Sequence, residues 1–162
     1  MLNYFKKLLI LLTIGFSSFA SAATLVGHVV GVTDGDTITV LDATKTQYKI
    51  RLAGIDAPEK KQSFGSVSKK SLSDLVFDKV VSIQYDKKDR YGRIVGKVLV
   101  NGKDANLEQV RRGLAWWYKK YQNAQPVKDR LDYLHAQEAA EASEVGLWVD
   151  SDAVAPWDFR RH

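Results

Sequence analysis

The spacing of apolar residues along this chain switches from two to about 3.6 and back, and that switching narrows its folds more than any other feature. Thr24 to Val32 carries apolar alternation at Leu25 and Val29, broken by Gly27 and Gly31. Thr37 to Leu41 alternates again, and Tyr48 to Leu52 is a third strand-like run. The turn signal Thr33-Asp34-Gly35-Asp36 separates the first two. Three strands joined this tightly predict a curled meander, with the glycines letting bent strands pass close together.

The period then lengthens. Over Ser63 to Asp78, Val67, Leu72, Leu75 and Val76 fall near one helical face, and Ser66 is a candidate cap. Val80 to Tyr85 returns to alternation, followed by the charged loop Asp86 to Arg90. Arg93 to Val100 is a fifth strand, closed by the turn pair Asn101-Gly102. Asp104 to Arg112 predicts a short helix with Leu107 and Val110 inward. Pro126 suits a first helical position, and Leu131, Leu134 and several alanines follow at helical spacing until Gly146. The tail from Leu147 to Trp157 is expected to be irregular and to pack back on the body. This order predicts an α+β, mainly β protein: a five-stranded OB-fold barrel with three helices.

Residues 1–22 read differently. Lys6 and Lys7 flank an apolar stretch that ends at Ala20-Ser21-Ala22, the pattern of a cleaved export signal. The expected organisation is a signal peptide at 1–22 and one folded domain at 23–162, in a secreted or periplasmic protein. No stable membrane association is expected after cleavage, and a monomer is the default. Losing the two lysines lowers the net charge from +5 to +3, which favours a polyanionic partner without demanding one. The chain has no cysteine, which excludes disulfides, thiolate metal sites and a Cys nucleophile.

Three segments are polar where a strand-rich core should be apolar: Asp34-Gly35-Asp36, Arg51 to Glu59, and Asp89-Arg90-Tyr91-Gly92-Arg93. They offer Asp36, Asp56 and Glu59 against Arg51 and Arg93. Aspartates and a nearby carbonyl are hard oxygen ligands, suited to Ca²⁺ or Mg²⁺ rather than Zn²⁺. Two guanidiniums match phosphate oxygens in pairs. A glutamate beside them can take a proton from an attacking water. Each segment alone has a plainer reading: a hairpin turn, a solvated strand arginine, the start of a helix, a charged loop.

Together the three segments resemble the staphylococcal nuclease (thermonuclease) family. The matching stretches are Val32 to Thr37, Ile50 to Glu59 and Asp89 to Arg93, with Gly113 to Tyr118 similar to a further family segment. The resemblance implies an OB-fold barrel and a Ca²⁺-dependent endonuclease acting on DNA and RNA, with single strands preferred and 3′-phosphate ends. It implies Asp36, Asp56 and the main-chain carbonyl of Ala57 as metal ligands, where many relatives have Thr in place of Ala57. Arg51 and Arg93 match the arginines that hold the phosphate and its transition state, and Glu59 matches the general base. Arg90 and Tyr91 match positions near a terminal phosphate. Trp117 and Tyr118 are candidates for stacking on a base. The stretch Lys60 to Ser71 is shorter than the Lys-rich loop of the best-known member.

Two other readings are open to the sequence. A non-catalytic OB barrel binding single-stranded nucleic acid would need only a basic groove and aromatics. A metal-free ribonuclease would need two convergent histidines from His28, His135 and His162, and their spacing does not suggest convergence.

Overall fold

The structure is a computed structural model that describes residues 23–161. The expected export signal, and His162, lie outside the described residues. Five strands close on themselves: β1 (Ala23–Asp34), β2 (Thr37–Leu41), β3 (Gln47–Leu52), β4 (Val80–Lys88) and β5 (Ile94–Val100). β1 pairs antiparallel with both β2 and β4, β2 with β3, and β4 with β5. A parallel seam between β3 and β5, with Ile50 opposite Ile94 and Arg51 opposite Val95, shuts the ring.

The bend that closure needs is built into β1. Its register with β2 shifts between Val29 and Gly31 and again between Val32 and Asp34. A Cβ at Gly27 would lie 2.5 Å from a methyl of Val40, so only glycine lets the two strands cross there. β4 runs three residues past its apolar stretch, into Asp86 to Lys88, which the sequence predicts as loop. Pairing of Lys87 and Lys88 with Val95 and Ile94, beyond a bulge after Tyr85, keeps this charged segment in the sheet.

Four helices surround the barrel: α1 (Gly65–Val76), α2 (Ala105–Arg111), α3 (Val127–Ala142) and a single turn, α4 (Pro156–Phe159). Short 3₁₀ segments occupy Lys119–Ala124 and Gly146–Val149. Val29, Ile38, Ile50, Leu52, Ile83, Ile94 and Val98 from the barrel meet Leu72, Val76 and Val110 from the helices in one core. No helix of the described residues is long and apolar enough to cross a membrane.

Several local expectations are corrected. α1 begins at Gly65 after Phe64 in the left-handed region, so Ser66 is inside the helix and not its cap. A side chain at 65 would collide with the Glu59 carbonyl, so crowding against the preceding loop sets that start. Val67 is exposed, and Ser68 is buried in its place, donating to the Leu114 carbonyl at 2.6 Å. On α3, Leu131 faces solvent while Tyr133 is buried, its hydroxyl donating to Asp104 at 2.8 Å. α3 ends at Ala142, before Gly146, and the tail contains the turn α4 where irregular chain is expected.

Candidate active site

The first acid sits in the tight β1–β2 turn. Asp34 pairs with Thr37, leaving Gly35 and Asp36 as the two loop residues. The turn is pinned from inside the protein. Buried Gln109 donates to the carbonyls of Gly35 and Ser68 at 2.9 and 3.0 Å. A side chain at Gly35 would collide with Ser68 and Ala57. Asp36 is therefore presented at a fixed place, 6% exposed. Its Oδ1 accepts from Thr37 Oγ1 at 3.0 Å and its Oδ2 from the Ala57 amide at 2.6 Å.

The second acid lies on the loop leaving β3. Ile55 and Asp56 form a short antiparallel ladder with Trp117 and Trp116. Asn106 donates to the carbonyls of Ala53 and Gly96 at 3.0 and 3.1 Å, fastening this loop to β5. Asp56 is 2% exposed.

Arg51 joins the two acids. Its Nη2 lies 2.8 Å from Asp56 Oδ1 and 3.2 Å from Asp36 Oδ2. Its Nη1 donates to the carbonyls of Leu52 and Ile55, both at 2.9 Å. Such fixed multiple donation is what a planar guanidinium does and an ammonium does not. Burial raises the Asp56 carboxyl above its usual range, and the neighbouring Asp36 charge adds to this against the pull of Arg160 and Arg51. Burial likewise pushes Asp34 up to about 6, reinforced by the Asp36 charge.

Glu59 reaches the cluster through an arginine that the sequence reading does not single out. Arg160 Nη1 lies 2.6 Å from Glu59 Oε1, and Arg160 Nη2 lies 2.7 Å from Asp56 Oδ2. These carboxylates hold the Arg160 proton more firmly than usual. No local pattern could have revealed this contact, which spans about a hundred positions; the one hint is an aromatic and an arginine, Trp157 and Arg160, one helical turn apart.

Arg93 stands apart. It immediately precedes β5, two residues before the partner of Arg51, and therefore on the same outward side of the seam. Its side chain is tied to Asp89, with Nε 2.7 Å from Oδ2. Asp89 also accepts from the amides of Tyr91 and Arg93 and so organises the whole loop. Burial pushes the Asp89 carboxyl up, but these hydrogen bonds and the Arg93 charge outweigh it and hold it below its usual range. Arg90 lies over the exposed Tyr91 ring and donates to its hydroxyl at 2.6 Å.

The two aromatic candidates divide. Trp117 is a core residue, 7% exposed, with its indole N–H donated to Gln125 at 2.9 Å. Tyr118 is half-buried, and Trp157 lies flat on it, with centroids 5.0 Å apart and planes 2° from parallel. Of the two described histidines, His28 pairs with Asp78 on the surface and His135 is exposed on α3.

Among the described residues no three carboxylates or imidazoles form a closed cage for a metal. What is present is a pair of buried carboxylates, Asp36 and Asp56, offering oxygen donors only and held together by Arg51. That chemistry fits a hard divalent cation that keeps most of its shell for water and substrate.

A closed OB-type barrel with acids and guanidiniums gathered at one turn-and-loop corner defines the structural class. The family model for staphylococcal nuclease homologues matches residues 49–150. The chain belongs to that family. It is 46% identical to an uncharacterized endonuclease of Haemophilus influenzae, over 83% of this chain and 72% of that protein. It is 43% identical to an uncharacterized endonuclease of Escherichia coli, over 96% and 97% of the two chains. A micrococcal nuclease of Shigella flexneri is 39% identical, over 83% and 80%.

Proposed function

We propose that this protein is a divalent-cation-dependent endonuclease that hydrolyses phosphodiester bonds of DNA and RNA, with Ca²⁺ as its ion, single strands preferred and 3′-phosphate ends as products. The observation that supports this best is the sharing of one guanidinium, Arg51, by two buried acids from different turns. The names of the relatives point the same way.

Asp36, Asp56 and the Ala57 carbonyl would hold the ion. When bound, it would supply Lewis acidity toward a phosphoryl oxygen and draw water to the phosphorus. Arg51 and Arg93 donate to the non-bridging oxygens and neutralise the charge that builds there as water adds. Glu59 accepts the water proton. The water oxygen bonds to phosphorus, the P–O5′ bond breaks, and a proton goes to the departing 5′ oxygen. For Arg51 this requires Nη2 to turn from the acids to the phosphate as the ion takes their charge, and for Arg93 an exchange of Asp89 for the phosphate. Arg90 and Tyr91 receive a terminal phosphate at the rim. Residues 1–22 direct export, and the domain acts outside the cytoplasm as a monomer free of the membrane.

Digestion of plasmid and of single-stranded DNA with Ca²⁺, with Mg²⁺ and with EGTA tests this reading. Cleavage with Ca²⁺, weaker with Mg²⁺ and abolished by chelator, is expected, because Mg²⁺ demands stricter geometry. Strand binding that persists in EGTA without any cleavage in Ca²⁺ would show a binding module instead.

A further inference from the structure

Arg160 lies outside the stretch matched to the family, yet it touches two acids of the site. Its guanidinium covers both oxygens of Asp56, Oδ2 at 2.7 Å and Oδ1 at 3.3 Å, and takes Glu59 Oε1 at 2.6 Å. Asp56 Oδ1 also accepts from Arg51. Both oxygens of the more buried acid are thus already committed to positive groups.

The segment that delivers Arg160 is anchored by more than this contact. Trp157 stacks on Tyr118 and meets Trp116 edge-on, with centroids 5.7 Å apart. Gln62 links the tail to the acid loop, donating to the Val154 carbonyl and accepting from the Glu59 amide at 3.1 Å. Arg160 itself remains 43% exposed, so it can swing into solvent without unpacking the core.

A divalent cation on Asp56 needs the lone pairs that Arg160 now holds, and it repels the guanidinium at such range. We propose that Arg160 is a built-in occupant of the acid cluster, which a divalent cation must displace, so that cation binding is coupled to release of the Arg160 side chain from Asp56 and Glu59. This deepens the function proposed above and rests on its assignment of Asp56 to the cation. The occupant offsets the repulsion among the acids while the cation is away, and it raises the cation concentration at which the site fills.

The test is titration of the full chain with Ca²⁺ alone by calorimetry, parent against Arg160→Gln, at one ionic strength. Competition predicts binding tighter by about tenfold in Arg160→Gln. It also predicts a larger rise in melting temperature on adding Ca²⁺ to that variant than to the parent. Trp157→Ala, which loosens the anchor and keeps the arginine, should tighten binding by a smaller factor. Equal or weaker Ca²⁺ binding in Arg160→Gln would overturn the proposal while leaving the nuclease reading intact. If neither protein binds Ca²⁺, the cation assignment falls and this inference falls with it.

Discussion

Arg51 and Arg93 look alike in the sequence, each a strand-edge arginine near aspartates, but the molecule holds them in opposite ways. Arg51 is 15% exposed and spends its donors on two acids and two main-chain carbonyls. Arg93 sits in a self-contained surface loop with one acidic partner. The first is part of the frame that keeps two buried carboxylates together. The second is poised to change partners without disturbing anything beyond its loop.

The difference can be broken most sharply at Arg51. Arg51→Ala leaves Asp36 and Asp56 without their shared charge, and should cost about 3–5 kcal/mol of stability along with all activity. Arg51→Lys should recover little of either, because one ammonium cannot serve four acceptors. Thermal melts decide this; an Arg51→Ala protein melting with the parent would show that Arg51 is no more structural than Arg93.

Arg93→Ala is the converse. If Arg93 acts as a single donor to the developing charge, its loss costs roughly 3–4 kcal/mol of transition-state binding, a hundredfold or more in rate. The melting temperature should move little, since Arg93 has one acidic partner and that pair lies outside the core. Parental rates of DNA digestion from this variant would remove Arg93 from the mechanism.

The smallest effect separates the acids of the two regions. Asp34, raised to about 6, holds its proton more tightly in the folded chain than in the unfolded one, whose value is near 3.8. Stability therefore falls as pH rises from about 4 to 6 and stays lower above that. Asp89, held low, works in the other direction, losing its contribution as the pH falls. Asp34→Asn keeps the acceptor for the Asp36 amide and removes the charge. It should raise the melting temperature by a few degrees at pH 7 and leave it unchanged at pH 4. The same shift at both pH values would show that the Asp34 charge is not the cause.

Most of the barrel is legible in the sequence, because alternation and turn chemistry are local signals. The strand cores at 37–41, 48–52 and 94–100 fall where the pattern puts them. Asp36, Arg51, Asp56 and Glu59 are legible as a group through motif spacing. Other features depend on partners distant in the chain. Trp117 looks like an aromatic offered to a ligand until its ladder with Ile55 turns it into the core. Ser68 looks polar until Leu114 supplies its acceptor. Arg160 is invisible because nothing within reach of its own sequence neighbourhood marks an acid pair across the fold.

The seam between β3 and β5 has one more consequence. Ile50 meets Ile94 there, and Arg51 lies opposite Val95. Closing so long a loop costs entropy that is repaid only once the ring has shut. Ring closure is therefore what carries Arg93 to the side of the barrel where Arg51 stands, whereas Asp36, Arg51 and Asp56 are brought together by the neighbouring strands β1 to β3.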